Sequence, residues 1–237
     1  REVVNACKEK EVPIRIGTNS GSIKKEFLEK YNGVNENSLV YSTLEQIRLL
    51  ENMGFYNMKL SLKASSVPLT IKSYEMISKL VDYPLHIGIT ESGPIWRGTI
   101  KSAVGIGTLL SMGIGDTIRI SLTGDPVEEV KVGREILKSL NLLNEGIEII
   151  SCPTCGRTKI DLIKLVGEVE ENLKDIDKPI KVAIMGCPVN GPGEAREADI
   201  GIAGGKGEGL IFKKGKIIKK VREEFLIEEL IKEIEKL

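Results

Sequence analysis

Cys152-Pro153-Thr154-Cys155 places two thiols on one turn, Cys187 supplies a third in Gly186-Cys187-Pro188, and Glu194 follows in Asn190-Gly191-Pro192-Gly193-Glu194. Thiolates are ligands for soft metals. Three of them can hold three corners of a four-iron cubane and leave the last iron to a weaker donor such as a carboxylate. An iron whose ligand exchanges can bind a substrate oxygen and act as a Lewis acid. Structural zinc fits this set less well, because it takes four Cys or His ligands, often as two close pairs, and here one pair stands with a single cysteine and no nearby histidine. A thioredoxin-like dithiol accounts for Cys152 and Cys155 but leaves Cys187 and the Gly-Pro-Gly-Glu stretch without a role. Cys7, in a helix-like run, reads as a small buried hydrophobe. Spacing alone leaves cluster, zinc and dithiol open, since Cys-x-x-Cys is a common pattern.

The chain has 237 residues, enough for two modest domains with cores of their own. Lys plus Arg and Asp plus Glu each number 34, so no global field draws the protein to nucleic acid or to an anionic membrane, and any anion site must be local. No apolar run approaches the roughly 18 residues of a membrane span, and the first residues carry no secretory pattern. Four cysteines without a disulfide framework suit a reducing compartment, so the expected location is the cytoplasm. The chain opens on Arg1-Glu2-Val3-Val4, with Val3, Val4 and Cys7 at helical spacing. This reads as a start in mid-helix, and the expectation is a fragment whose N-terminal part is missing.

Residues 1–145 alternate short apolar strands with amphipathic helices, the signature of a parallel sheet or barrel. Strands are expected at 14–17, 58–62, 85–90 and 117–122, each rich in Ile, Leu or Val and flanked by turn residues. Ser42 as N-cap, with Glu45 three residues on, is expected to open a helix that turns Leu44, Ile47, Leu50 and Met53 inward and stops at Gly54. Pro68 opens a second helix, a third spans 99–112, and Asp125-Pro126 starts a fourth. Beyond 145 the texture changes, and residues 146–237 read as a second, smaller α/β domain. Strands at 148–151 and 181–185 deliver Cys152 and Cys187. A helix is expected at 158–175, further strands at 199–203 and 210–212 with a hairpin through Lys213-Lys214-Gly215-Lys216, and a closing helix at 226–237.

Polar groups gather where the first domain's strands end. Arg15 and Asn19 flank the exit of the first strand, Lys63 follows the second, Glu91 the third, and Arg119 with Ser121 lies in the fourth. In barrels that edge is where sites are built, so these residues form a candidate anion pocket. Each one alone is equally an ordinary strand-end charge reaching solvent. Arg119 is more specific: Ile118 and Ile120 flank it, so in a barrel strand it points away from them toward the lumen. His86, the one histidine, reads as a hydrogen-bonded barrel residue rather than a ligand, with a role in the site left open. Gly204-Gly205-Lys206-Gly207-Glu208-Gly209 lacks the Ser or Thr that a phosphate loop places after its lysine, and reads as a turn.

Six ordered motifs resemble the (E)-4-hydroxy-3-methylbut-2-enyl diphosphate synthase family of the non-mevalonate isoprenoid pathway. They are Ile14-Arg15-Ile16-Gly17-Thr18-Asn19, Ser61-Leu62-Lys63-Ala64-Ser65, Gly88-Ile89-Thr90-Glu91-Ser92-Gly93, Ile118-Arg119-Ile120-Ser121, Cys152-Pro153-Thr154-Cys155-Gly156-Arg157 and Gly186-Cys187-Pro188-Val189-Asn190-Gly191-Pro192-Gly193-Glu194. The resemblance covers essentially the whole chain, and the last two motifs carry it most specifically. It implies the C-terminal half of a TIM barrel, about four βα units, followed by a small ferredoxin or sulfite-reductase-like α/β domain holding a 4Fe-4S cluster. The family's ligands fall on Cys152, Cys155, Cys187 and Glu194, and its substrate contacts on Arg15, Asn19, Lys63, Glu91, Arg119 and Ser121. The implied reaction is reductive ring opening of 2-C-methyl-D-erythritol 2,4-cyclodiphosphate, with Glu91 and Glu194 in catalytic roles. Ferredoxin or flavodoxin is the expected donor of two electrons, and a homodimer the expected assembly. Two other classes share part of this pattern: a non-catalytic metal-binding or electron-transfer module, and a sirohaem-type reductase. The barrel motifs argue against both.

Overall fold

A computed structural model describes residues 1–188 and 195–237, and divides the chain into two compact units, Arg1–Leu143 and Asn144–Leu237. In the first unit, four short parallel strands follow one another: β1 (Ile14–Asn19), β2 (Met58–Lys63), β3 (His86–Ile87) and β4 (Thr117–Ile118). β1 and β2 pair with Arg15 opposite Lys59 and Asn19 opposite Lys63, a Leu60–Leu85 bridge joins β2 to β3, and His86 pairs with Thr117 across β3 and β4. Its helices are α1 (Glu2–Glu9), α2 (Lys25–Lys30), α3 (Glu36–Glu51), α4 (Val67–Ile77), α5 (Ile95–Ser111) and α6 (Pro126–Ser139). Successive strand side chains point to opposite faces. Ile16, Leu60, Leu62, Ile87 and Ile120 therefore join one core with Leu39, Ile47, Tyr74, Ile77, Ile106, Leu109 and Ile136. Burying each such side chain contributes about 1.5–3 kcal/mol, which is what holds the helices on this face. Arg15, Lys59, Lys63, His86 and Arg119 are left on the other.

Several boundaries differ from the sequence pattern. α3 begins at Asn35 rather than Ser42: the Asn35 side chain accepts from the Ser38 amide at 3.1 Å, and the Ser38 hydroxyl accepts from the Asn35 amide at 3.0 Å. This reciprocal cap satisfies two end groups at once, and the apolar Leu39 and Val40 extend the inward face, so Ser42 lies buried inside the helix. α5 starts directly after Pro94. The third and fourth strands are shorter than the apolar runs suggest. Beyond Ile87 the chain turns, with Glu91 at φ 53° and Gly93 at φ 95°, conformations that leave the extended region.

The second unit is one sheet of order β5-β6-β7-β8-β9, comprising β5 (Glu148–Ser151), β6 (Lys181–Met185), β7 (Ile200–Gly204), β8 (Glu208–Lys213) and β9 (Lys216–Arg222). The first three strands are parallel and the last two antiparallel. α7 (Leu162–Leu173) and α8 (Leu226–Glu235) cover one face, where Val169, Leu173, Leu230 and Ile234 meet Val182, Ile184, Ile200, Ile202 and Ile211. On the other face Ala183, Met185, Ala203 and Phe212 meet Ala195 and Ala198. α7 starts at Asp161, whose carboxylate accepts from the Lys164 amide at 3.1 Å, and not at Thr158, which is occupied in the Cys155 turn. The glycine-rich run is a tight turn: the Gly205 amide donates to the Glu208 carbonyl at 2.7 Å, and a Cβ on Gly204 would sit 2.2 Å from Ile160. β9 forms the outer edge of the sheet, and most of its side chains are exposed. Among the described residues no helix is long and apolar enough to cross a membrane.

Candidate functional site

The inner face of the first unit is cationic from one side to the other. The β1–β2 register sets Arg15 beside Lys59, and two residues further along the strands Asn19 beside Lys63. Lys63 is only 3% exposed. Gly88 makes room for it: a Cβ there would stand 2.5 Å from the Arg119 carbonyl oxygen and 3.4 Å from Lys63 Nζ. The absent side chain lets β3 approach the Arg119 backbone and leaves space that the lysine head fills. Burial, and then Arg15 and Arg119, push the Lys63 amine down to about 8. None of these influences comes from an acid, so the ammonium sits among like charges.

His86 belongs to the same face. Its Nδ1 lies 2.8 Å from Thr117 Oγ1. Burial, followed by Lys63, Arg15, Lys59 and Arg119, pushes the imidazole down to about 4, so it is neutral at pH 7. Two arginines and two lysines therefore converge on one neutral imidazole, an arrangement suited to an anion with several oxygens. His86 also makes a stability prediction. Below its ordinary value of 6.5 the unfolded chain takes up a proton that the folded chain refuses until about pH 4. Stability is therefore expected to fall as pH drops through that window. The urea midpoint of the wild type should fall relative to that of His86→Gln as pH drops from 6.5 to 4; parallel profiles would contradict the buried neutral imidazole.

The remaining barrel residues stand at the rim. Asn19 is exposed, and its backbone is held by Ser22, whose hydroxyl accepts from the Asn19 amide at 3.1 Å and donates to the Asn19 carbonyl at 3.0 Å. Ser121 is half-buried, one residue past Ile120 of the core. Glu91 is exposed on the turn after β3, in the left-handed region uncommon for a side chain other than glycine. That turn is braced by Thr90 N–H to the Ala64 carbonyl at 3.3 Å and by Ser92 Oγ to the Ile89 carbonyl at 3.1 Å. Sequence reasoning passed over Lys59. Period-two alternation back from Lys63 was the signal for it.

In the second unit, Cys152 follows β5 and Cys187 follows β6, two parallel neighbours with Ser151 opposite Ile184. The Gly186 amide donates to Cys152 Sγ at 3.2 Å. Thr158 Oγ1 accepts from the Cys155 amide at 3.1 Å and lies 4.0 Å from Cys155 Sγ, while the Lys159 amide donates to the Gly186 carbonyl at 3.0 Å. These bonds tie the Cys152–Cys155 turn to the strand that carries Cys187. Cys155 is exposed, and the Arg157 amide, then the Thr158 hydroxyl, draw its thiol below the ordinary cysteine range. Three thiols thus share one sheet edge, and N–H donors of the kind that stabilise sulfur ligands reach Cys152 and Cys155. The donor set fits an iron-sulfur group. Ligating geometry itself is not formed among the described residues, where no group of three or more His, Cys, Asp or Glu could hold a metal ion. Cys152 Sγ accepts from Gly186 on the Cys187 loop, and Cys155 is bonded within its own turn. Glu194 lies outside the described residues.

Comparison with known proteins covers both units. The GcpE TIM-barrel domain matches residues 1–134, and the GcpE protein C-terminal domain matches residues 148–236. A 4-hydroxy-3-methylbut-2-en-1-yl diphosphate synthase (flavodoxin) of Caldanaerobacter subterraneus subsp. tengcongensis is 66% identical over 237 residues, which is 100% of this chain and 67% of that protein. A protein of the same name from Clostridium acetobutylicum is 65% identical over 233 residues, 98% of this chain and 67% of its own length. Another from Bacillus licheniformis is 59% identical over 235 residues, 99% of this chain and 64% of its own length.

Proposed function

The chain belongs to the GcpE family, and on that premise we propose that it catalyses the reaction for which its relatives are named, forming 4-hydroxy-3-methylbut-2-en-1-yl diphosphate for isoprenoid synthesis. The substrate in this reading is 2-C-methyl-D-erythritol 2,4-cyclodiphosphate, opened and reduced by two electrons with loss of a hydroxyl. The observation that carries it is the buried Lys63, beside Arg15 and Arg119, with no acid among the described residues raising its amine. Such a face binds a diphosphate and favours it further as it departs with growing charge.

Arg15 and Arg119 offer forked donors to phosphate oxygens, and Lys63 a compact charge between them. A bound dianion returns the Lys63 proton that burial would otherwise release. Asn19 and Ser121 are uncharged partners at the rim that orient hydroxyl or phosphate oxygens. Glu91 handles the proton needed when the hydroxyl leaves as water. Cys152, Cys155 and Cys187 would hold a 4Fe-4S cluster, with Glu194 as the weaker fourth donor. When bound, that cluster supplies electrons one at a time, from flavodoxin by analogy with the relatives' names, together with a Lewis-acidic iron. We read residues 1–145 as half of a TIM barrel, residues 146–237 as a ferredoxin or sulfite-reductase-like domain, and the working assembly as a cytoplasmic homodimer.

The test is anaerobic loading with iron and sulfide, followed by reduced flavodoxin and the cyclic diphosphate. Mass spectrometry should find the linear diphosphate. Loaded protein that binds pyrophosphate but yields no product would reduce the assignment to an electron-transfer module. Zinc without acid-labile sulfide would overturn it.

A further inference from the structure

The β2–β3 ladder has one rung made by a side chain. Parallel strands exchange evenly spaced backbone bonds. From the Leu60–Leu85 pair, the Leu60 amide donates to the Pro84 carbonyl at 2.8 Å. The next bond in that series runs from the Leu62 amide to the His86 carbonyl. In its place the Leu62 amide donates to the Tyr74 hydroxyl at 2.9 Å, and the hydroxyl donates to the His86 carbonyl at 2.7 Å. Past this point the strands meet again, where the Thr90 amide donates to the Ala64 carbonyl at 3.3 Å. A single oxygen from α4 is thus inserted between two strands that are bonded before and after it.

The insertion lies at the level of the cationic face. Leu62 and Ile87 point into the core, both fully buried, so Ser61 and Lys63 on β2 and His86 on β3 point to the opposite side. On that side, just past β3, the missing side chain of Gly88 leaves room for the Lys63 head. Tyr74 is itself fully buried and comes from behind, through the core. Core packing alone does not require the hydroxyl: a phenylalanine ring would fill the same volume. Without the oxygen, two buried backbone groups would either go unpaired or close on one another.

We propose that Tyr74 is a positioning residue of the anion site: its hydroxyl holds β2 and β3 apart by one inserted rung and so sets the spacing of Lys63 and His86 across the inner face. This rests on the reading of that face as the diphosphate site. The hydroxyl does not touch the ligand. It acts through the two strands, and its removal lets Leu62 bond directly to His86, drawing Lys63 toward the imidazole and narrowing the gap above Gly88.

Tyr74→Phe tests this with two readouts besides turnover, namely crystal structures of wild type and variant and calorimetric titration of each with pyrophosphate. The wild-type crystal should show the Leu62 amide on the phenol oxygen, and a direct Leu62–His86 bond there overturns the proposal outright. In the variant the strands should close at this rung while thermal unfolding stays cooperative, and pyrophosphate affinity should fall about tenfold, in keeping with the sensitivity of charged sites to displacements near 1 Å. Closure with unchanged affinity would make the inserted rung structural only and overturn the positioning role. An open rung with unchanged affinity overturns it equally. If wild type shows no pyrophosphate binding although the rung closes in the variant, the strand-spacing inference stands and the diphosphate reading is what fails.

Discussion

Replacing Lys63 with methionine is expected to weaken pyrophosphate binding by roughly 10- to 100-fold, the loss typical of a hydrogen bond to a charged group in a shielded site. Methionine keeps most of the stem volume and removes only the charge. That charge is placed unfavourably for folding. The amine is pushed down to about 8 from its ordinary value of 10.5, so between those values the unfolded chain binds a proton that the folded chain does not. Stability of the wild type should therefore rise with pH across that window, and Lys63→Met should lack the rise. Pyrophosphate affinity should move the opposite way in the wild type, falling as pH passes through about 8 and the ammonium is lost. A variant that binds less tightly yet unfolds no more readily is the expected pairing, since binding sites often keep groups that folding disfavours. Equal affinity for the two proteins would remove Lys63 from the site.

Cys187→Ser is expected to cut the iron and acid-labile sulfide retained after anaerobic loading by tenfold or more, and to abolish the visible absorption of the cluster. Cys152→Ser and Cys155→Ser should behave alike, because all three thiols stand on loops tied to one another through Gly186 and Thr158. Cys7→Ser is the internal control: that thiol lies on α1 in the other unit, so its loss should leave iron and sulfide unchanged. Full metal content in Cys187→Ser would disconnect the β6 edge from the cluster, whatever the Cys152–Cys155 turn binds.

The sequence pattern made the α/β alternation legible because strand and helix periods are distinct and the apolar runs are clean. Asp125-Pro126 fixed the start of α6, where the Asp125 carboxylate accepts from the Val127 amide at 2.9 Å. It was misleading where two signals competed. Ser42 and Glu45 present a capping pattern in sequence, but the structure caps the helix at Asn35 through its reciprocal bonds with Ser38. Long apolar runs at 85–90 and 117–122 overstated the strands, because a run shows burial but not where the ladder stops. The charged candidates Arg15, Lys63 and Arg119 were visible as isolated cations between apolar neighbours. Tyr74 was not: in sequence it is one of several inward residues of α4, and only the register across β2 and β3 gives its oxygen a separate task. Glu194 was named from its motif and falls outside the described residues.

The outer position of β9 bears on how the protein survives its own synthesis. A strand bonded on one side only offers its free backbone groups to any similar strand that drifts past, including that of another newly made chain. Lys216, Lys219, Lys220 and Arg222 line this strand among the exposed Ile217 and Ile218. Lys219, Lys220 and Arg222 pair with Glu229, Glu208 and Glu224, so an approaching copy would have to strip water from those ion pairs as well as meet Lys216, and the charged run acts as a gatekeeper against fibrous stacking. Exchanging Lys216 and Lys220 for threonine is expected to raise light scattering on concentration while the circular dichroism spectrum stays unchanged.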